Sequence, residues 1–70
     1  MRTTMTVLEA FRASADADVY ILLGDGVGEA FITGGMRHSG GVALTVNPGT
    51  GGSMRVDLKE DEEYVVRIYN

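Results

Sequence analysis

Residues 18–33, DVYILLGDGVGEAFIT, decide the fold. Val19, Ile21 and Leu23 alternate with Tyr20 and Leu22, and β-branched and aromatic residues suit a pleated surface. Asp25-Gly26 reads as a tight hairpin turn, because both central residues of such a turn need positive φ. Val27 to Thr33 is then the return strand, with Ala30 and Ile32 on one face and Glu29, Phe31 and Thr33 on the other. A dinucleotide-binding turn also begins with Gly24-Asp25-Gly26-Val27-Gly28 directly after a strand. That pattern requires a third Gly where Glu29 stands, and a helix where Phe31-Ile32-Thr33 and two glycines follow. The hairpin is the better reading.

Outward from that hairpin, Gly and turn residues cut the chain at near-regular intervals, at Gly34-Gly35, Gly40-Gly41 and Asn47 to Gly52. Short apolar runs at this spacing are the signature of a small all-β barrel or sandwich. The segment Gly34 to Gly41 reads as a glycine-rich loop. In Val42–Val46, Val42, Leu44 and Val46 face one way and Ala43 and Thr45 the other. In the next strand Met54, Val56 and Leu58 point inward, and Arg55, Asp57 and Lys59 outward. Tyr64–Tyr69 closes the chain with Tyr64, Val66 and Ile68 on one face and Val65, Arg67 and Tyr69 on the other. Apolar bulk on both faces of this last strand predicts cover on both, the second from a neighbouring subunit.

The N-terminal segment has two readings. Thr6-Val7-Leu8-Glu9 fits a capping box, followed by Val7, Leu8 and Phe11 on one helical face and an end at Ser14-Ala15-Asp16. The rival is a strand from Thr3 to Ala10, favoured by Thr and Val. The helix is preferred, so five strands and one short helix are expected.

The chain has 70 residues, no Cys and one Pro, so a single domain spanning 1–70 is expected, without disulfides or a cysteine-rich zinc site. A core this small leaves oligomerisation as the remaining support. The formal charge of −4 argues against a DNA partner, whose binding draws on a basic face. No apolar run reaches membrane-spanning length and the N-terminal residues lack a signal-peptide core, so a soluble cytoplasmic protein is expected.

Few residues carry chemistry. His38 is the lone histidine, which leaves it without partners for a conventional metal site, and no metal or other cofactor is expected. Ser39 beside it is poorly placed as a nucleophile, since adjacent residues of an extended segment point apart. No grouping of acid, base and nucleophile rises above coincidence, so an enzyme is not expected. Met36, Arg37 and His38 could form a loop tip that contacts a ligand, or His38 could simply be an exposed loop residue. Five of the ten acidic residues lie between Asp57 and Glu63, which reads as a solvated acidic turn, with a weak cation site or a surface for a basic partner as the alternatives. Arg55 and Arg67 are candidates for cross-strand pairs with Asp57 or Glu63. The five aromatic residues serve either as core or as stacking platforms for single-stranded nucleic acid.

The order of elements resembles the Sm-like (LSm/Hfq-type) small β-barrel family. Val19-Tyr20-Ile21-Leu22-Leu23-Gly24-Asp25-Gly26 looks like that family's first strand and turn. Val56-Asp57-Leu58-Lys59-Glu60-Asp61 and Tyr64-Val65-Val66-Arg67-Ile68 look like its second motif and last strand. The resemblance covers Thr6 to Ile68 and implies a strongly bent, five-stranded antiparallel sheet, an SH3-like barrel with an N-terminal helix. It implies a homo-oligomeric ring in which the fourth strand of one subunit pairs with the fifth of the next. Met54, Val56, Leu58, Tyr64, Val66, Ile68 and Tyr69 are then the interface residues, and Arg37, His38 and Lys59 the ligand-binding ones. The ligand it implies is single-stranded RNA. Two departures bear on this. Arg37-His38-Ser39-Gly40-Gly41 stands where the family's nucleic-acid loop carries an Asp and an Asn, and Lys59-Glu60 replaces its Arg-Gly. The competing expectation is a structural subunit of a cellular or viral assembly.

Overall fold

A computed structural model describes residues 2–24, 26–49 and 51–69. The chain runs β1 (Arg2–Thr6), α1 (Val7–Ala13), β2 (Asp18–Leu22), β3 (Glu29–His38), β4 (Gly41–Pro48), β5 (Met54–Lys59) and β6 (Glu63–Tyr69). All six strands lie in one open antiparallel sheet of order β1-β6-β2-β3-β4-β5. The expected five strands become six, because both readings of the N-terminal segment hold in turn. Arg2 to Thr6 is strand and pairs with β6, and the helix starts at once after it.

Thr6 is the switch between the two. Its backbone is extended (φ −70°, ψ 159°), which serves both a strand end and an N-cap. The Glu9 amide donates to Thr6 Oγ1 at 3.2 Å, and the Thr6 amide donates to Glu9 Oε1 at 2.8 Å. Two further amides at the helix start find carbonyls elsewhere: Val7 donates to Glu62 at 2.9 Å and Leu8 to Glu60 at 3.1 Å. The orphan donors of the first turn are thus satisfied. A helix of seven residues is too short to persist alone. Burial of Val7 and Ala10, both with no exposed surface, holds it on the sheet.

The inner face of the sheet is the core. Ile21 lies opposite Ala30 and Val66, Ile32 opposite Val46, Leu44 opposite Val56, and Val42 opposite Leu58. The alternation expected for β4, β5 and β6 holds along this face. Met54, Val56 and Leu58 are only half-buried, however, because β5 is the sheet edge. On β4's opposite face Gly41 and Ala43 are buried, Ala43 beside Met36 and Asp57 in register.

The largest departure concerns Gly34 to Gly41. It is not a loop: β3 continues to His38, so Met36, Arg37 and His38 are strand residues rather than a loop tip. Gly34 pairs with Thr45 and Gly35 with Leu44, after a register shift between Ile32 and Gly34. That irregularity matches a β-bulge, which bends a strand and raises its twist. Gly35 is required there: a Cβ on it would lie 2.9 Å from Phe11 Cε1 and 3.0 Å from the Ala43 carbonyl oxygen. The glycine lets the helix approach the sheet, a use that looks like a loop signal in sequence.

The β2–β3 connection is a hairpin, closed by hydrogen bonds from Leu23 to Gly28 and from Val27 to Gly24, each 2.9 Å. Of the expected Asp25-Gly26 turn, Gly26 has φ +81°, and Asp25 lies outside the described residues. Thr50, in the expected Asn47–Gly52 turn, also lies outside them. No helix among the described residues is long and apolar enough to cross a membrane.

β6 is an interior strand. β1 pairs along Glu63–Arg67 on one side, and β2 along Val66–Tyr69 on the other. The position that the Sm-like resemblance reserves for a neighbour's strand is therefore filled by the chain's own β1. Val66 is 1 % exposed and belongs to the core, while Tyr64 and Ile68 pack half-buried against it. Tyr69, on the opposite face, is 48 % exposed.

Candidate functional site

The β3–β4 and β5–β6 turns lie at one end of the sheet and are tied together. Ser39 and Gly40 form a two-residue connection between His38 and Gly41, with Gly40 at φ +75°. The Glu60 amide donates to the Gly40 carbonyl at 3.3 Å, and the Glu62 amide closes the second turn on Lys59 at 3.2 Å. Since the helix start hydrogen-bonds the same second turn, three elements converge here. The three expected ligand residues Arg37, His38 and Lys59 are all at this end.

They are not all on one face. His38, Gly41 and Lys59 are in register across β3, β4 and β5 and share the outer face. His38 and Lys59 line a shallow depression of about 200 Å³ with Ser39, Gly40, Gly41, Asp57 and Leu58. The His38 ring lies over Gly41, so close that a Cβ there would sit 2.8 Å from Cε1. Its Nε2 is 3.8 Å from Asp57 Oδ1, too long for a direct hydrogen bond. Arg37 is in register with buried Val42 on the inner side, and extends beyond the core to Glu60. Its Nη2 and Nε lie 3.0 and 3.2 Å from Glu60 Oε2.

The electrostatics of this end are net acidic, with Arg37 and Lys59 set against Asp57, Glu60, Asp61, Glu62 and Glu63. Glu60 neutralises Arg37, and Asp57 faces His38, with Asp61, Glu62 and Glu63 exposed beyond them. An anionic backbone approaching Lys59 meets these carboxylates as well. Among the described residues no group of three or more His, Asp or Glu side chains could hold a metal ion.

A second cluster lies on the outer face of β2, β3 and β6. Tyr20 packs against Phe31 with ring centroids 5.0 Å apart, and edge-on to Tyr69 at 5.7 Å. Arg67, in register with Tyr20, donates from Nη1 to the Tyr69 hydroxyl at 3.5 Å and pairs through Nε with Glu29 Oε2 at 3.3 Å. The Tyr69 hydroxyl, and after it the Glu29 charge, hold the Arg67 guanidinium above its ordinary pKa. The cross-strand partner expected for Arg67 was Glu63 or Asp57. The partner is Glu29 because β2 lies between β6 and β3, and Glu29 pairs with Leu22 of that strand. The signal in sequence was the alternation that puts Tyr20, Phe31, Arg67 and Tyr69 on outward positions. The strand order, which local patterns do not carry, turns it into a cluster.

No family model matches the chain, and no curated protein or solved structure matches it either.

Proposed function

We propose that the chain is a non-enzymatic subunit of Sm-like type that assembles with copies of itself into a ring, β5 of one copy pairing with β1 of the next. The observation that carries this is the β5 edge. Among the described residues β5 pairs on one side only, with β4, over six residues without a Pro. Its apolar row Met54, Val56 and Leu58 is half-buried. Long apolar edges invite another strand unless they are blocked. β1 forms the other edge of the sheet, so the contact is heterologous, and contacts of that kind form a ring where the rotation between copies closes. After β1 the chain runs as a short helix followed by five strands, the order of elements the resemblance rests on, which supports the same reading. The barrel of the Sm-like reading enters the proposal as a strong bend of this one sheet, with the β5 edge left to the next copy.

Between the two uses of such a ring, the ion pairs favour a structural role over RNA binding. Arg37 is already paired with Glu60, and His38 faces Asp57. A ring of such subunits also multiplies the charge of −4. The test joins an edge block to a binding assay. Val56→Lys, checked for retained β structure by circular dichroism, should sediment as a smaller species than the wild type. Fluorescence anisotropy with single-stranded RNA at low salt should show no binding. An unchanged sedimentation coefficient for a folded Val56→Lys would contradict the edge contact, and salt-sensitive RNA binding lost in Lys59→Ala would restore the RNA role.

A further inference from the structure

We infer that the outer face of the sheet binds a small organic anion, a carboxylate or phosphate group on an apolar body, between Arg2 of β1 and Arg67 of β6. These two residues are directly opposite one another in the antiparallel register. Side chains so placed have Cβ atoms about 5 Å apart, and like charges there repel. Arg67 is offset by Glu29 at 3.3 Å. Arg2 has no hydrogen-bond or ion-pair partner among the described residues. Two guanidinium groups and one carboxylate therefore leave local positive charge on a chain whose total is −4.

The space beside them fits a ligand. Arg2 and Arg67 line a depression of about 250 Å³ with Leu22, Glu29, Val65 and Val66. Leu22 is 41 % exposed there, a large apolar side chain left open beside two cations. A volume just under the range of about 300–1,000 Å³ usual for ligand sites suits a short apolar body. The arginine forks supply paired donors for a carboxylate or phosphate. The bond from Arg67 to the Tyr69 hydroxyl and the pair with Glu29 hold one fork in place, so that it does not have to be ordered on binding. The anion also relieves the repulsion between the two arginines. The depression is on the β1–β6–β2 part of the sheet and shares no residue with the one lined by His38 and Lys59.

The test is thermal unfolding together with NMR titration of the wild type and Arg2→Gln, in chloride and at matched ionic strength in inorganic phosphate, acetate or octanoate. In chloride alone Arg2→Gln should melt no lower than the wild type, since it removes a repulsion. Phosphate or octanoate should raise the melting temperature of the wild type, shift the amide signals of Leu22 and Val65, and bind Arg2→Gln at least roughly ten-fold more weakly. Octanoate exceeding acetate identifies the apolar body as part of the ligand, and phosphate exceeding octanoate identifies a phosphate source over a carboxylate one. Equal stabilisation of wild type and Arg2→Gln, or no signal change at Leu22 and Val65, would overturn the site.

Discussion

One methyl group added at Gly35 tests how the helix sits on the sheet. Gly35 is a strand residue without positive φ, and a Gly to Ala change at a compatible site stabilises by about 0.4–1 kcal/mol through the unfolded chain. Here the geometry reverses the sign. The new Cβ would lie 2.9 Å from Phe11 Cε1, 3.2 Å from Phe11 Cδ1 and 3.0 Å from the Ala43 carbonyl oxygen. The ring can retreat by tilting α1, but the carbonyl belongs to the paired strand β4 and cannot. Overpacking of this kind costs about 1–3 kcal/mol, so the net loss is about 1–2 kcal/mol. For a domain of this size that lowers the melting temperature by roughly 5–15 °C. The assay is urea unfolding of wild type, Gly35→Ala, Phe11→Leu and the double variant. Leucine at position 11 removes the ring edge, so the cost of Gly35→Ala should fall by about half in that background, the remainder coming from the carbonyl. A stabilising Gly35→Ala, or the same cost in both backgrounds, would refute the packing of Phe11 over Gly35.

Further outcomes follow from the same contacts. Thr6→Ala removes the cap and should cost about 1 kcal/mol. The hydrogen bond from the Thr6 amide, and after it the one from the Thr6 hydroxyl, holds the Glu9 carboxyl below its ordinary value of 4.5. The folded state therefore favours the carboxylate, and its contribution is complete above pH 4.5 and lost as pH falls through the lower folded value. Acid unfolding of Glu9→Gln should show less loss over that interval than the wild type. Gly41→Ala would bring a Cβ within 2.9 Å of the Leu58 carbonyl and 2.8 Å of the His38 ring, so it should lower the urea midpoint, and His38→Ala should restore only part. Arg37→Ala should cost less than about 1 kcal/mol by the same assay, because the pair with Glu60 is exposed, and still less at high salt.

The hairpin of β2 and β3, the alternation of β4, β5 and β6, and the capping box at Thr6 were legible because each rests on neighbours in sequence. The first strand stood only as the less favoured reading, from Thr3 to Ala10, since Arg2–Thr6 has its partner in Glu63–Arg67 at the other end of the chain. The Gly34–Gly35 pair misled for a related reason: its glycines serve a close approach by Phe11, a residue more than twenty positions earlier. At the candidate site, Arg37, His38 and Lys59 were grouped by the Sm-like resemblance, and all three lie at the end of the sheet where β3 and β5 finish. Their division between faces was not legible, because the register shift after Ile32 inverts the side on which later β3 residues point. Arg2 opposite Arg67 depends on the same hidden pairing of β1 with β6.

The central claim is that the open β5 edge is covered by β1 of another copy. Light scattering of the wild-type chain through a dilution series tests it most directly. The account predicts one sharp species at a whole-number multiple, three or more, of the 7.5 kDa chain mass. A single species at 7.5 kDa across the series would contradict it.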